Sequence, residues 1–240
     1  MRGAGSRGAI DVKLFAPKLR SFPDPHHTLE EGIVDLSDDV RVERLLEAYS
    51  FGIFPWPHED LPTLWFCPEE RGVIDFADLH IPTSLRKFMA KNPFEVTLNR
   101  AFDAVIEACA RVPRPMQKGT WITPRLLKAY KDFHRAGYAH SVEVWSKGEL
   151  AGGLYGVYVA GVFCGESMFF AKDNASKVAL ITLIEFLRAR GLMWMDIQMV
   201  TPAMQAFGGK YISREDFLKR IELSKPLAKY IEFKLPKTFG

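Results

Sequence analysis

Between Ala139 and Phe170 the chain repeats short stretches of alternating apolar and polar positions, rich in β-branched and aromatic residues. AHSVEVWS turns through Lys147-Gly148 into ELAGGLYGVYVAG, which turns again into VFCGESMFF, and this pattern predicts an antiparallel meander. Helical periodicity occupies DDVRVERLLEAY in the first seventy residues and recurs at 84–91, 99–110 and 124–136. Thr123 is the predicted N-cap of the last of these, with Pro124 at its first position. After the meander come a helix over ASKVALITLIEFLRARG, a strand over MWMDIQM, a short helix, Gly208-Gly209 and a final helix near EDFLKRI. Asn174 or Ser176 could cap the first of these helices, or its free N–H groups could hold phosphate. The sum is α+β, with helices packed on a mainly antiparallel sheet. The segment GIFPWPHEDLPTLWFCPEERG is expected to be a proline-rich loop. Its Trp56 and Trp65 either pack against a second domain or line a site.

Two acids break the apolar pattern. In MWMDIQM the alternation puts Met193, Met195, Ile197 and Met199 on one face, expected to be core, and Trp194, Asp196 and Gln198 on the other. A carboxylate and a carboxamide in such a strand are either knitted into a network or face a cleft, because unpaired burial is costly. Glu166 lies among Phe163, Cys164, Met168 and Phe169, and needs a cation, a hydrogen-bonding partner or a ligand there. Glycines at 152, 153, 156, 161 and 165 leave little bulk beside it, which suits bulges or close backbone approach.

The chain has 240 residues, 48% hydrophobic and 25% charged, which is enough for a folded core and argues against disorder. Cys67, Cys109 and Cys164 are odd in number and widely spaced, so neither a disulfide framework nor a zinc site is indicated. No apolar leader or membrane-length run is legible, so a soluble cytoplasmic protein is expected. The net charge of +3 is uneven: residues 86–147 carry +7 and the remainder −4. A concentrated basic region suits a polyanionic partner such as RNA, although a solvated surface has the same composition.

The strings GIFPW, GTWITPRLLKAY, GYAHSVEVW, GGLYGV, FCGESMF, NASK and DIQ, in this order, resemble leucyl/phenylalanyl-tRNA–protein transferases over most of residues 43–220. The resemblance implies a small N-terminal domain at 1–72 and a GNAT-like acyltransferase domain at 73–240. It also implies transfer of Leu or Phe, with Met a further candidate, from aminoacyl-tRNA to acceptor proteins beginning with Arg or Lys, marking them for degradation by the N-end rule. Carried over by motif, Gln198 would meet the attacking amine, Asp196 would orient or polarise it, and Glu166 would be a polar partner in the cleft. Tyr49, Trp56 and Trp121, with Tyr130 near them, would contact the terminal adenosine by stacking. Leu154, Phe163 and Met168 would form the pocket for the transferred side chain, and Arg86, Lys87 and Lys91 would contact the tRNA backbone. An aminoacyl ester is already activated, so no cofactor and no metal are expected.

The sequence departs from the family pattern in GIVDLSDDV, in Ile197 where a Cys is usual, and in TPAMQAFGGKYIS, where Ala203 stands at a His position. Two other readings compete at this level. An acyl-CoA-dependent N-acyltransferase on the same fold would want a glycine-rich pyrophosphate loop before the helix, and KDNASK has no glycine. A non-catalytic RNA-binding module would leave Asp196 and Gln198 dispensable.

Overall fold

The computed structural model describes residues 21–57, 61–91, 93–112 and 120–235. The first elements are β1 (Ile33–Leu36), α1 (Val42–Ser50), β2 (Phe54–Trp56) and β3 (Leu64–Phe66). The expected proline-rich loop therefore contains two strands, and β3 pairs antiparallel with both β1 and β2 in a three-stranded sheet. Each of the two is three residues long, too short to show a period of two. Pro55 is accommodated because β2 lies at the sheet edge.

Next come β4 (Glu70–Asp75), α2 (Thr83–Met89), β5 (Glu95–Leu98), α3 (Phe102–Arg111) and α4 (Pro124–Arg135). Position 72/73, expected as a domain boundary, falls inside β4. The Thr123 hydroxyl accepts the Leu126 N–H and caps α4 as its sequence predicts. The meander is β6 (Ala139–Ser146), β7 (Glu149–Val159) and β8 (Val162–Phe170). Its two turns, Lys147-Gly148 and Ala160-Gly161, both have φ of 54° then 79°. Two successive left-handed residues are the signature of the hairpin turn whose twist matches that of the strands.

The chain then forms α5 (Ala175–Arg188), β9 (Trp194–Gln198), α6 (Pro202–Ala206), β10 (Lys210–Ser213) and α7 (Arg214–Ser224). Asn174 occupies the N-cap position of α5 but makes no capping bond; its backbone is left-handed and its side chain accepts from Lys177. The second sheet has the order β10-β4-β9-β8-β7-β6-β5, and among the described strands β8–β9 is the single parallel pair, as α5 between them requires. One face packs on α1, α3, α4 and α7 through residues such as Leu45, Val105, Tyr130, Tyr155 and Phe217. The other packs on α5 and α2 through Leu154, Phe163, Ile181, Leu85 and Met195. Among the described residues no helix is long and apolar enough to cross a membrane. All three cysteines are free and buried.

The strand MWMDIQM is shorter than its pattern suggests. Only Trp194–Gln198 is paired, so Met193 and Met199 leave the sheet and are 71% and 48% exposed, whereas Met195 is buried. The expected four-residue apolar core face is thus reduced to Met195 and a half-buried Ile197.

Candidate active site

Strands β8 and β9 pair at only two positions, Phe163 with Met195 and Cys164 with Asp196, and then diverge. Both strands are irregular at that point. On β8, Gly165 faces Gly156 and Ser167 faces Tyr155, so Glu166 is an extra residue without a partner on β7. On β9, Asp196 faces Val73 and Gln198 faces Gly72, which makes Ile197 the extra one. A bulge bends its strand and re-aims the side chains around it. Glu166 can therefore be a carboxylate in an apolar strand because it does not follow the strand's alternation.

The polar groups at the splay form one chain of hydrogen bonds. Tyr130 Oη donates to Glu166 Oε2 at 3.2 Å and lies 2.6 Å from Tyr49 Oη. With the Tyr130 proton given to Glu166, Tyr49 is the donor in the phenol pair. Gln198 Nε2 donates to Glu166 Oε1 at 3.0 Å. Burial drives the Glu166 carboxyl up to about 7; hydrogen bonding to the linked Tyr49–Tyr130 hydroxyls and to Gln198 opposes this, and the Asp196 charge adds to it. Burial, followed by the nearby Glu166 charge, pushes both phenols well above their usual range, so they stay protonated donors at neutral pH.

Asp196 is fully buried and bound in a fork by Arg71, with Nε to Oδ1 at 2.9 Å and Nη2 to Oδ2 at 2.7 Å. Burial alone would lower the Arg71 pKa; the Asp196 charge and hydrogen bonds outweigh it, and the net shift is upward. Asp196 Oδ1 also accepts the Gln198 backbone N–H at 2.8 Å. The network alternative for this acid holds, and its charge is matched by Arg71. Arg71 was not legible in the sequence: a buried acid asks for a cation, but only the register of β4 on β9 says which.

The remaining predicted residues fall in three places. Trp56 is half-buried and stacks on Trp121, with ring centroids 5.5 Å apart and planes 10° from parallel. Tyr49 and Tyr130 do not stand with them as open stacking surfaces. They are 2% and 0% exposed; the Tyr130 hydroxyl donates to Glu166, and the Tyr49 hydroxyl lies against that of Tyr130. Trp65 is core: its ring packs edge-on against Phe22 and its Nε1 donates to Ser37 O.

Leu154 and Phe163 are buried on the α5 face, and Met168 is half-buried against the same cluster, beside the splay. Six of the twelve cations of the basic region are locally neutralised. Arg100, Arg111, Arg125, Lys128, Lys131 and Arg135 all pair with acids. Arg86, Lys87 and Lys91 are exposed and, among the described residues, have no carboxylate partner. Arg86 and Lys87 lie on α2, and Lys91 lies just beyond its C-cap.

Comparison with known proteins defines the class first. The chain matches the family models of a transferase, described as "Leucyl/phenylalanyl-tRNA protein transferase" over residues 73–222 and as its N-terminal domain over residues 38–69. The relative from Oleidesulfovibrio alaskensis, a leucyl/phenylalanyl-tRNA–protein transferase, is 48% identical over 206 residues, 84% of this chain and 83% of its own length. That from Pseudoalteromonas atlantica is 46% identical over 214 residues, 88% and 91% of the two chains. The protein belongs to the leucyl/phenylalanyl-tRNA–protein transferase family. Among solved structures, L-PGS from Bacillus licheniformis shows a distant likeness, with 13% identity and a TM-score of 0.42 over 76% of this chain and 70% of that one.

Proposed function

We propose that the protein moves a leucyl or phenylalanyl group, and also methionyl, from the 3′ end of tRNA to the α-amine of an acceptor protein beginning with Arg or Lys. The reaction is cytoplasmic, and the product is marked for degradation. The observation that carries the reading is the Gln198–Glu166 contact of 3.0 Å at the splay of β8 and β9.

With Nε2 engaged on a carboxylate, the Gln198 carboxamide has its oxygen left to accept a hydrogen bond from the incoming amine. The neutral amine attacks the ester carbonyl carbon; a C–N bond forms, and the C–O bond to the terminal ribose breaks. Glu166, whose pKa of about 7 suits transfer near neutral pH, takes the surplus ammonium proton and passes it to the departing ribose oxygen, which leaves as the free hydroxyl. Asp196 acts on the amine only through Gln198, because its own oxygens are taken by Arg71 and the Gln198 N–H. The ester is activated in advance, so positioning and relay of one proton from the amine to the leaving ribose oxygen suffice without a cofactor.

Trp56 and Trp121 supply the indole surface for the terminal adenosine, and Leu154, Phe163 and Met168 the apolar wall for the transferred side chain. Arg86, Lys87 and Lys91, exposed and without a carboxylate partner among the described residues, meet phosphates. An apolar wall rejects charged side chains and separates Leu, Phe and Met only weakly, since size differences there are worth about 1–3 kcal/mol. Incubation with individually charged tRNAs and an Arg-starting peptide should add the mass of Leu, Phe or Met to the peptide. Transfer of Asp or Lys in preference to these, or transfer only from an acyl-CoA, would refute the proposal.

A further inference from the structure

The sequence CPEERGVID places an arginine between Glu70 and Gly72 in β4, and the fold buries that side chain to 1% exposure. All three guanidinium nitrogens are used. Two fork onto Asp196, and Nη1 donates to Gly52 O at 3.1 Å, at the junction of α1 and β2. Phe54 of β2 and Phe217 of α7 cover the guanidinium, with ring centroids 4.4 and 4.5 Å from its central carbon. A buried ion pair is a poor device for stability alone, since apolar residues of the same volume serve as well or better. What it fixes here is geometry.

Gln198 is one of few non-glycine residues with positive φ, at 60°. The Met199 N–H reaches back to Ile197 O at 2.6 Å and closes a γ-turn about it, and the positive-φ form of this turn is rare and strained. The Asp196 carboxylate holds the turn by accepting the Gln198 N–H, two residues along, as Asx turns do. A lone carboxylate could rotate away; one gripped by a guanidinium fork cannot. Gly72, next in sequence, completes the arrangement. A Cβ there would lie 2.9 Å from the Met199 carbonyl carbon, so the turn can press against β4 only because residue 72 has no side chain.

We propose that Arg71 is a positioning residue for the transfer: through Asp196 it holds the strained turn that aims the Gln198 carboxamide, and through Gly52 and Phe54 it ties that turn to the segment carrying Trp56. The proposal rests on the reading of Gln198 as the group that meets the amine.

The test is an epistasis experiment on the full chain with Leu-charged tRNA and an Arg-starting peptide. It uses Arg71→Lys, which keeps the charge without the fork, together with Gln198→Ala and the double variant. Arg71→Lys should lose at least about tenfold in kcat while KM for the tRNA moves less than about threefold. The double variant should be no slower than Gln198→Ala alone, because a residue that works through Gln198 has nothing left to position. Multiplied losses, or a wild-type kcat in Arg71→Lys, would overturn the proposal. Should Gln198→Ala itself turn over normally, the reading of Gln198 falls first and the proposal with it. Should Arg71→Lys not fold, Arg71→Gln combined with Asp196→Asn, which leaves no unpaired buried charge, should show the same kcat loss. Absence of a cooperative melt in both would assign the pair to folding alone and overturn the positioning role.

Discussion

Replacing Glu166 with Gln separates the charge of this side chain from its hydrogen-bonding shape, and the structure gives the size of the effect. The carboxyl is raised from 4.5 to about 7, so at pH 6 only about a tenth of the protein carries the ionised form. The acceptor α-amine must also be neutral, and its ordinary pKa is about 8. The logarithm of kcat/KM for the peptide should therefore rise by about two per pH unit below 7, by about one between 7 and 8, and then level. In Glu166→Gln the break near 7 should vanish, leaving a single slope of about one up to pH 8 at a lower rate, because the amide still accepts and orients but cannot take the proton.

Stability moves the other way. Between pH 4.5 and 7 the unfolded chain has released this proton and the folded chain has not, so the native state loses stability as pH rises through that window. The full penalty, at most about 3 kcal/mol and less for a half-buried group that water reaches, is present above pH 7. Glu166→Gln should accordingly melt higher than wild type at pH 8 and show little gain at pH 4.5. Initial rates from pH 5.5 to 9 and melts at the two pH values would decide it. A break near 7 surviving in the variant would refute the assignment of the proton to Glu166.

Gln198→Ala should lower kcat by at least about tenfold with an intact cooperative melt, measured by initial rates; wild-type turnover would remove it from the mechanism. Trp56→Ala should cost about 1–3 kcal/mol of binding even for a minimal aminoacyl-adenosine, read as a rise in KM. Arg86→Gln, Lys87→Gln and Lys91→Gln combined should weaken all tRNAs alike and reduce the slope of log affinity against log salt by about 2–3; an unchanged slope would show these cations merely solvated.

The meander and the cap of α4 were legible because each is written locally: alternation over eight or more residues, a Lys-Gly turn, a Thr-Pro start. The short strands β2 and β3 were not, since three residues carry no period and their pairing is decided by partners far along the chain. Glu166, Asp196 and Gln198 stood out as polar groups in apolar strands, and the structure brings all three to one splay. The support behind them was illegible. Tyr49 reaches Tyr130 across 81 residues and Arg71 reaches Asp196 across 125, contacts that only the packing of α1 on α4 and of β4 on β9 creates. The bulges were invisible for a different reason: an extra residue in a ladder is a property of two strands together.

That extra residue has a consequence for how the chain can change. Counted along the ladder with β7, position 166 is surplus: Gly165 and Ser167 face consecutive residues of the neighbouring strand, Gly156 and Tyr155. Deleting Glu166 would leave an unbroken ladder with the same partners on either side, so the sheet has no need of the residue to which the proposed chemistry gives the proton. Architecture and reactivity are in this sense written on separate letters of the same strand. Drift that shortened β8 by one would yield a well-formed protein without its carboxylate, and nothing in the sheet itself selects against it.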